Sequence, residues 1–505
     1  MYSQPTNGNT VISEPLGARI SFDLNRRVWV MVRSKCSGFQ DLPPIQGSFL
    51  INATALAIAA NDFGNLIHRT PIAVLRPASV NDVVTVISFA REHGLRIAAR
   101  GNGHTTFGQS QIEAGIVIDM SSLRKIHQIA PCYALVDAGV VWRDLLRATI
   151  AVGLTPPVLT DYTGLTVGGT LSVGGVSGRS FRYGAQVDQV LELLVITGEC
   201  ELVRCSADEN SELFYGVLAG LGLCGIIIQA TLKLIPAYER ARTFRLIYHD
   251  ALTMQSDLRH LAERGYFDSI RGNGVLLPTS ATTDEQLTSS GKQENTASFR
   301  FFIEATLFHS DGYELPNYLL DSLQFIGGME QVEDQAYFDF TEIVVQRVEA
   351  LDAAGLGHLS HPWLDLLVAD RELHQFVFHT IASLEYASIL PGSLMLLFYP
   401  LVKSRLTCPL FRTPDEDLFF LFDILRTLLP DPTFVKAVLA QNRALYDDSR
   451  KRGGTIYPIS AVPMDHTAWE QHFGPYWMTV QANRRQFNSR NILGAGLNVW
   501  DESAL

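Results

Sequence analysis

Between Gly164 and Gly184 the chain reads "GLTVGGTLSVGGVSGRSFRYG", with glycines at 164, 168, 169, 174, 175, 178 and 184. A long helix or strand cannot run through such a stretch, because each interior glycine costs roughly 0.5–1 kcal/mol relative to alanine. Two explanations stand. Either the backbone packs tightly against a neighbour here, or its N–H groups approach a ligand closely. In the second case Thr166, Thr170, Ser172 and Ser177 add hydroxyls, and a pyrophosphate is accommodated without a lysine.

A second glycine-bearing loop, "ARGNGHTTFGQ" (99–109), lies upstream. The run before it, "PIAVLRPASVNDVVTVISFAREHGLRIAARG", predicts a strand–helix–strand unit. Ser79 with Asp82 three residues on forms a capping box, and Val83, Val84, Ile87, Phe89 and Ala90 give the helix an apolar face. Gly94 stops the helix and "LRIAA" follows as a strand. The loop departs from G-x-G-x-x-G at Thr106 and follows the second strand of its unit rather than the first. There is also no G-x-x-x-x-G-K-[ST], so the nicotinamide-type Rossmann and P-loop readings both fail.

At 505 residues, two domains or more are expected. With 47% hydrophobic and 18% charged residues there is ample core material. A formal charge of −12 with no dense Lys/Arg stripe argues against nucleic acid as a partner. The beginning, "MYSQPTNGNTVISEPLGARI", lacks the layout of a secretory signal. The most apolar window, from Val217, breaks at Gln229 and Lys233 and reads as a buried strand with a glycine-rich approach rather than a membrane span. Six cysteines without a C-x-x-C pair point to neither a disulfide framework nor a metal site. The expectation is a cytoplasmic protein with no membrane partner. "GIVIDM" and "YALVDAG" predict strands, and "WRDLLRATIAVG" a helix ending at Gly153. A hairpin is expected at "TGEC", and "IIIQATLKLIPAYERAR" reads as the last strand of a first domain. A polar loop spans 280–298. Strands such as "FRFFIEATLF" and "GSLMLLFYPLV" then alternate with helices such as "PTFVKAVLAQNRALYDDSRKRGG", an α+β layout.

Taken together and in order, "PxxVxRPxSVxDVxxVIxFAREHGLRIAARGxGH" and "GGTLSxGGxSGxSFRxG" resemble the vanillyl-alcohol-oxidase type of FAD-binding domain. The chain more narrowly resembles cytokinin dehydrogenase through "TDYTGLTVGGTLS", "QVLELLVITG", "GLGLCGIIIQATLKLIPA", "SHPWLDLLV", "LLFYPLVKSR", "AWEQHFG" and "NILGAG". The likeness runs from about residue 66 to the C-terminus. It implies an FAD domain over 1–240, completed by 480–505, and a substrate domain over 241–479 with an antiparallel sheet.

The resemblance also implies a site. His104 would carry the flavin covalently, through a single bond, and Gly101, Asn102, Gly103, Thr105, Gln109, Thr166, Ser172, Val176, Ile227 and Tyr457 would contact FAD. Asp161 of "TDY" would lie at the cofactor as the catalytic base, taking the proton of a secondary amine such as an N6-substituted adenine while hydride leaves for flavin N5. The imine would then hydrolyse, and oxygen or a quinone would accept the electrons. Three departures bear on the substrate and the cofactor. Arg271 stands where the family has an entrance glutamate, and Asp365 where it has asparagine. Gly494 and Leu497 replace two polar cofactor contacts. Arg271 and Asp365 are thus candidate substrate residues, and an Arg271–Asp365 ion pair is the structural alternative. A covalent-flavin oxidase of an alcohol or sugar, and a flavin-bearing protein without turnover, are the other readings.

Overall fold

The computed structural model describes residues 19–33, 37–277, 299–310, 318–384, 393–429 and 431–500, with residues 312, 314, 316 and 389. The polar 280–298 run and the first 18 residues of the N-terminal stretch read for a signal lie outside the described residues. Among the described residues no helix is long and apolar enough to cross a membrane.

The strand–helix–strand unit forms as its sequence predicts. Ala73–Arg76 leads to the helix Val80–His93, where Ser79 and Asp82 make the reciprocal capping box and Gly94 closes the helix in the left-handed region at φ 61°. Ile97–Arg100 follows. Both strands pair in parallel with Ile116–Asp119, which lies between them. The helix buries Val83, Val86, Ile87 and Phe89 against this sheet.

Beside it stands a five-stranded antiparallel sheet, ordered Leu202–Ser206, Val190–Thr197, Gly225–Lys233, Tyr133–Asp137 and Ile126–Ala130. The expected hairpin closes at Thr197, whose N–H donates to Glu201 O and whose carbonyl takes the Cys200 N–H. Ile196, Ile226 and Ile228 pack toward the first sheet, and Leu193, Val195, Ile227 and Ala230 toward the opposite core. That alternation is the period-2 signature of strands buried on both faces.

The third sheet has eight strands, every pair antiparallel. Its order is Gln331–Ala336, Arg240–Tyr248, Phe299–His309, Ser269–Leu276, Met395–Val402, Leu418–Leu425, Leu364–Ala369 and Thr455–Ile456. Leu246, Ile303, Leu366, Leu396, Phe398, Phe420 and Phe422 face one way and are covered by the helices Ala251–Arg264, Asp370–Ser383 and Pro432–Lys451. The intervening residues face the glycine-rich segment. The run read as the last strand of the first domain divides here: Gly225–Lys233 belongs to the five-stranded sheet, whereas "RAR" opens Arg240–Tyr248 of the eight-stranded one.

The C-terminal stretch returns to the first sheet. Ile97 N–H donates to Ile492 O at 2.7 Å, and the helix Trp477–Phe487 packs against Ser211–Val217.

Candidate active site

The loop 101–109 is anchored from behind. Asp62 Oδ2 accepts from Thr105 Oγ1 and from Gly108 N–H, each at 2.7 Å. Phe63 N–H donates to Gly103 O at 2.9 Å, and Gly64 N–H to Thr105 O at 3.0 Å. The front of the loop meets the glycine-rich segment so closely that a Cβ on Gly101 would fall 2.1 Å from Thr166 Oγ1. Gly175, at φ 77°, has no room either: a Cβ there would meet Gln186 Oε1 at 2.1 Å. Tight packing therefore accounts for both of these glycines, while Gly101, Gly168 and Gly169 also turn backbone toward the space in front.

In front lies a cleft open to solvent on one side. Gly101, Asn102, Gly103, His104, Thr105, Gln109, Thr166, Ser172 and Ile227 all line it, with Gly494 and Leu497 at the C-terminal side. Val176 and Tyr457 do not line it; both are buried in the adjoining core, where the Tyr457 hydroxyl accepts the Gly175 N–H at 2.9 Å. They act on the cleft through the shape of the segment rather than as its wall.

His104 sits between two rings. Phe63 stacks on it at 4.2 Å, Tyr162 lies on it at 4.8 Å, and His361 stacks on the far side of Phe63 at 4.3 Å. Burial among these rings, with the His361 charge opposing a second one, pushes the His104 imidazole down to about 3. It is therefore neutral at physiological pH, and its ring makes no hydrogen bond to the described protein. A glycine-walled cleft with a neutral, uncommitted imidazole at its side fits a flavin dinucleotide with a nucleophile to offer it.

Asp161 opens onto a different cavity of about 410 Å³, walled by the eight-stranded sheet and lined by Thr243, Arg245, Ser269, Arg271, Glu304, Thr306 and Gln335. Its Oδ2 accepts from Tyr399 Oη at 2.7 Å and from Arg271 Nη1. The sheet register explains the convergence. Arg245, Glu304 and Arg271 are direct cross-strand neighbours, and Tyr399 on the next strand shares their face. Arg271 also bonds Glu304, through Nε at 3.0 Å and through Nη2, while Arg245 Nη2 reaches Glu304 Oε1 at 2.7 Å. Burial opposes ionisation of Glu304, yet the two arginines overcome it and hold its carboxyl down to about 2.

The Arg271–Asp365 pair left open by the sequence does not form. Two strands separate them in the sheet, which at about 4.8 Å per strand is on the order of 14 Å. Arg271 is bound instead by Asp161 and Glu304, so its charge is already matched. Asp365, 2% exposed, lines neither cavity and meets Asp423 and Ser460. Sequence reasoning missed Glu304, Tyr399 and Asp423. The available signal was a lone acid inside an apolar strand ("FFIEATLF", "FFLFDIL"), a placement that is rare unless the charge is paired or protonated.

Comparison with known proteins gives a consistent neighbourhood. Residues 71–206 match the family model described as an FAD binding domain. Residues 238–500 match the one described as cytokinin dehydrogenase 1, FAD and cytokinin binding. The chain is 36% identical over 444 residues to an uncharacterized oxidoreductase, ORF5 in the fasciation locus of Rhodococcoides fascians, covering 88% of this chain and 97% of that one. It is 33% identical to cytokinin dehydrogenase 9 of Oryza sativa subsp. japonica, covering 89% and 90%. With cytokinin dehydrogenase 2 of Arabidopsis thaliana the identity is 30%, covering 93% and 97%.

Proposed function

Because the chain belongs to the cytokinin dehydrogenase family of FAD-dependent oxidoreductases, we propose that it oxidises a small secondary amine of the N6-substituted adenine type, with Asp161 as the proton acceptor. The observation that carries the reading is the environment of Asp161: a carboxylate in the wall of a polar cavity, with Arg271 and Tyr399 both donating to one oxygen. An amine that gives up hydride from its α-carbon develops positive charge on nitrogen. A carboxylate at that N–H removes the proton and completes the imine. Water then adds to the imine carbon, and the adduct collapses to a primary amine and an aldehyde.

Bound FAD would supply the two-electron acceptor for the hydride, the electrons leaving afterwards to oxygen or a quinone. The first cleft would hold it, with Gly101, Asn102, Gly103, Thr105, Gln109, Thr166, Ser172 and Ile227 as contacts and His104 as the covalent anchor. Arg271 and Tyr399 hold the Asp161 carboxylate in one orientation. With Arg271 already matched by two carboxylates, the cavity favours a neutral amine over an anionic one. The test is anaerobic mixing of the purified flavoprotein with N6-substituted adenines, alcohols and sugars. Bleaching by the amines alone is expected, and bleaching by an alcohol or sugar but no amine would overturn the assignment.

A further inference from the structure

Two adjacent strands of the eight-stranded sheet each carry one acid in an otherwise apolar run: Asp365 in "LDLLVA" and Asp423 in "LFFLFDIL". They are direct cross-strand partners, 2% and 5% exposed, with their carboxyl groups within hydrogen-bond reach. Ionised carboxylates only accept hydrogen bonds, so two that bond each other must hold a proton between them. Among the described residues no cation pairs with either acid to do that work. The Ser460 hydroxyl lies 3.1 Å from Asp365 Oδ2 and takes the Asp365 N–H at 2.8 Å. Asp423 Oδ1 is buried with no hydrogen-bond partner among the described residues.

The ionisable groups that act on the pair come from three directions. Tyr399 faces Asp423 from the neighbouring strand, Tyr457 faces both acids from beyond Thr455–Ile456, and Asp161 faces Asp423 from the loop above. Arg271 and Glu304 share the same sheet face, two or more strands away from Asp365, and are bound to Asp161 and to each other. The opposite face of both strands is apolar.

We propose that Asp365 and Asp423 are positioning residues for the reaction: a pair sharing one proton, whose charge sets the strength of Asp161 as a base. The proposal rests on the reading of Asp161 as proton acceptor. Fully protonated the pair is neutral; releasing one proton to solvent leaves the other shared between the two carboxyls, with one negative charge. That charge, added in a low-dielectric sheet face beside Asp161 and Tyr399, strengthens the pull on a proton arriving at Asp161. Burial pushes Asp365 up to about 7 and holds Asp423 well above the usual carboxylate range, so the first change of charge falls in the neutral range and the second does not.

The experiment is the pH profile of substrate-driven flavin reduction, paired with infrared difference spectra of the same flavoprotein taken on the two sides of pH 7. In the wild type the reduction rate should rise about three- to tenfold through neutrality, the step expected of sites coupled by about one pK unit. Asp365→Asn and Asp423→Asn each leave one acid bonded to an amide, so both profiles should be flat there. A protonated-carboxyl band should lose intensity in the wild-type spectrum as pH rises through neutrality, be missing as a titrating band in both variants, and titrate in Asp161→Asn as in the wild type. A neutral step that survives in both pair variants, or a wild-type spectrum with no such band, overturns the proposal alone. An Asp161→Asn protein reducing at the wild-type rate overturns the base reading together with it.

Discussion

Replacing Asp161 by asparagine separates the proton acceptor from the geometry around it. Asparagine keeps the size of the side chain and one acceptor oxygen, so Tyr399 Oη or Arg271 Nη1 still finds a partner where Oδ2 stood. Arg271 is not stranded by the change, because Glu304 still takes two of its donors. Folding and flavin content should therefore be close to wild type. The loss falls on chemistry. General-base catalysis contributes about 10²–10⁴-fold, which at roughly 1.36 kcal/mol per decade is on the order of 3–5 kcal/mol of barrier. Anaerobic stopped-flow reduction of the flavin by an N6-substituted adenine reads the step directly, and its concentration dependence separates binding from reduction. The reduction rate at saturation should drop by about that factor, with the half-saturating concentration moving much less. A variant that reduces at the wild-type rate, or one that loses only binding, would refute Asp161 as the proton acceptor.

His104→Ala should release the flavin into the supernatant on acid precipitation while the chain stays folded; a wild-type flavin that also washes out would refute the covalent anchor. Glu304→Gln tests the arginine-held carboxylate by denaturant unfolding at several pH values. Because the folded-state carboxyl sits at about 2 against an ordinary 4.5, its stabilisation is fully present above pH 4.5 and is lost as pH falls through about 2. The wild type should thus exceed the variant in stability at neutral pH, and the gap should close on acidification. A constant gap would show that packing, not charge, is what the substitution disturbs.

How much of this was legible in advance follows the range of the interactions involved. The capping box at Ser79, the left-handed stop at Gly94 and the hairpin at Thr197 are settled within a few residues, and they stand as the sequence predicts. The cleft-lining glycines were legible for a related reason. Only a residue without a Cβ tolerates the 2.1 Å approach at Gly101, and that need is written in the composition of both loops. Strand order is not written in any local stretch. Arg271 and Asp365 both alternate onto the site face of the sheet, so charge alone made them a plausible pair. Two intervening strands decide instead that Arg271 meets Glu304 and Asp161, and that Asp365 meets Asp423. The same register turns two isolated acids into neighbours that must share a proton, which neither "HPWLD" nor "FLFDIL" announces. The cofactor cleft is thus built from short-range rules, and the chemistry beside it from cross-strand register. The residues that tune Asp161 belong to the second kind.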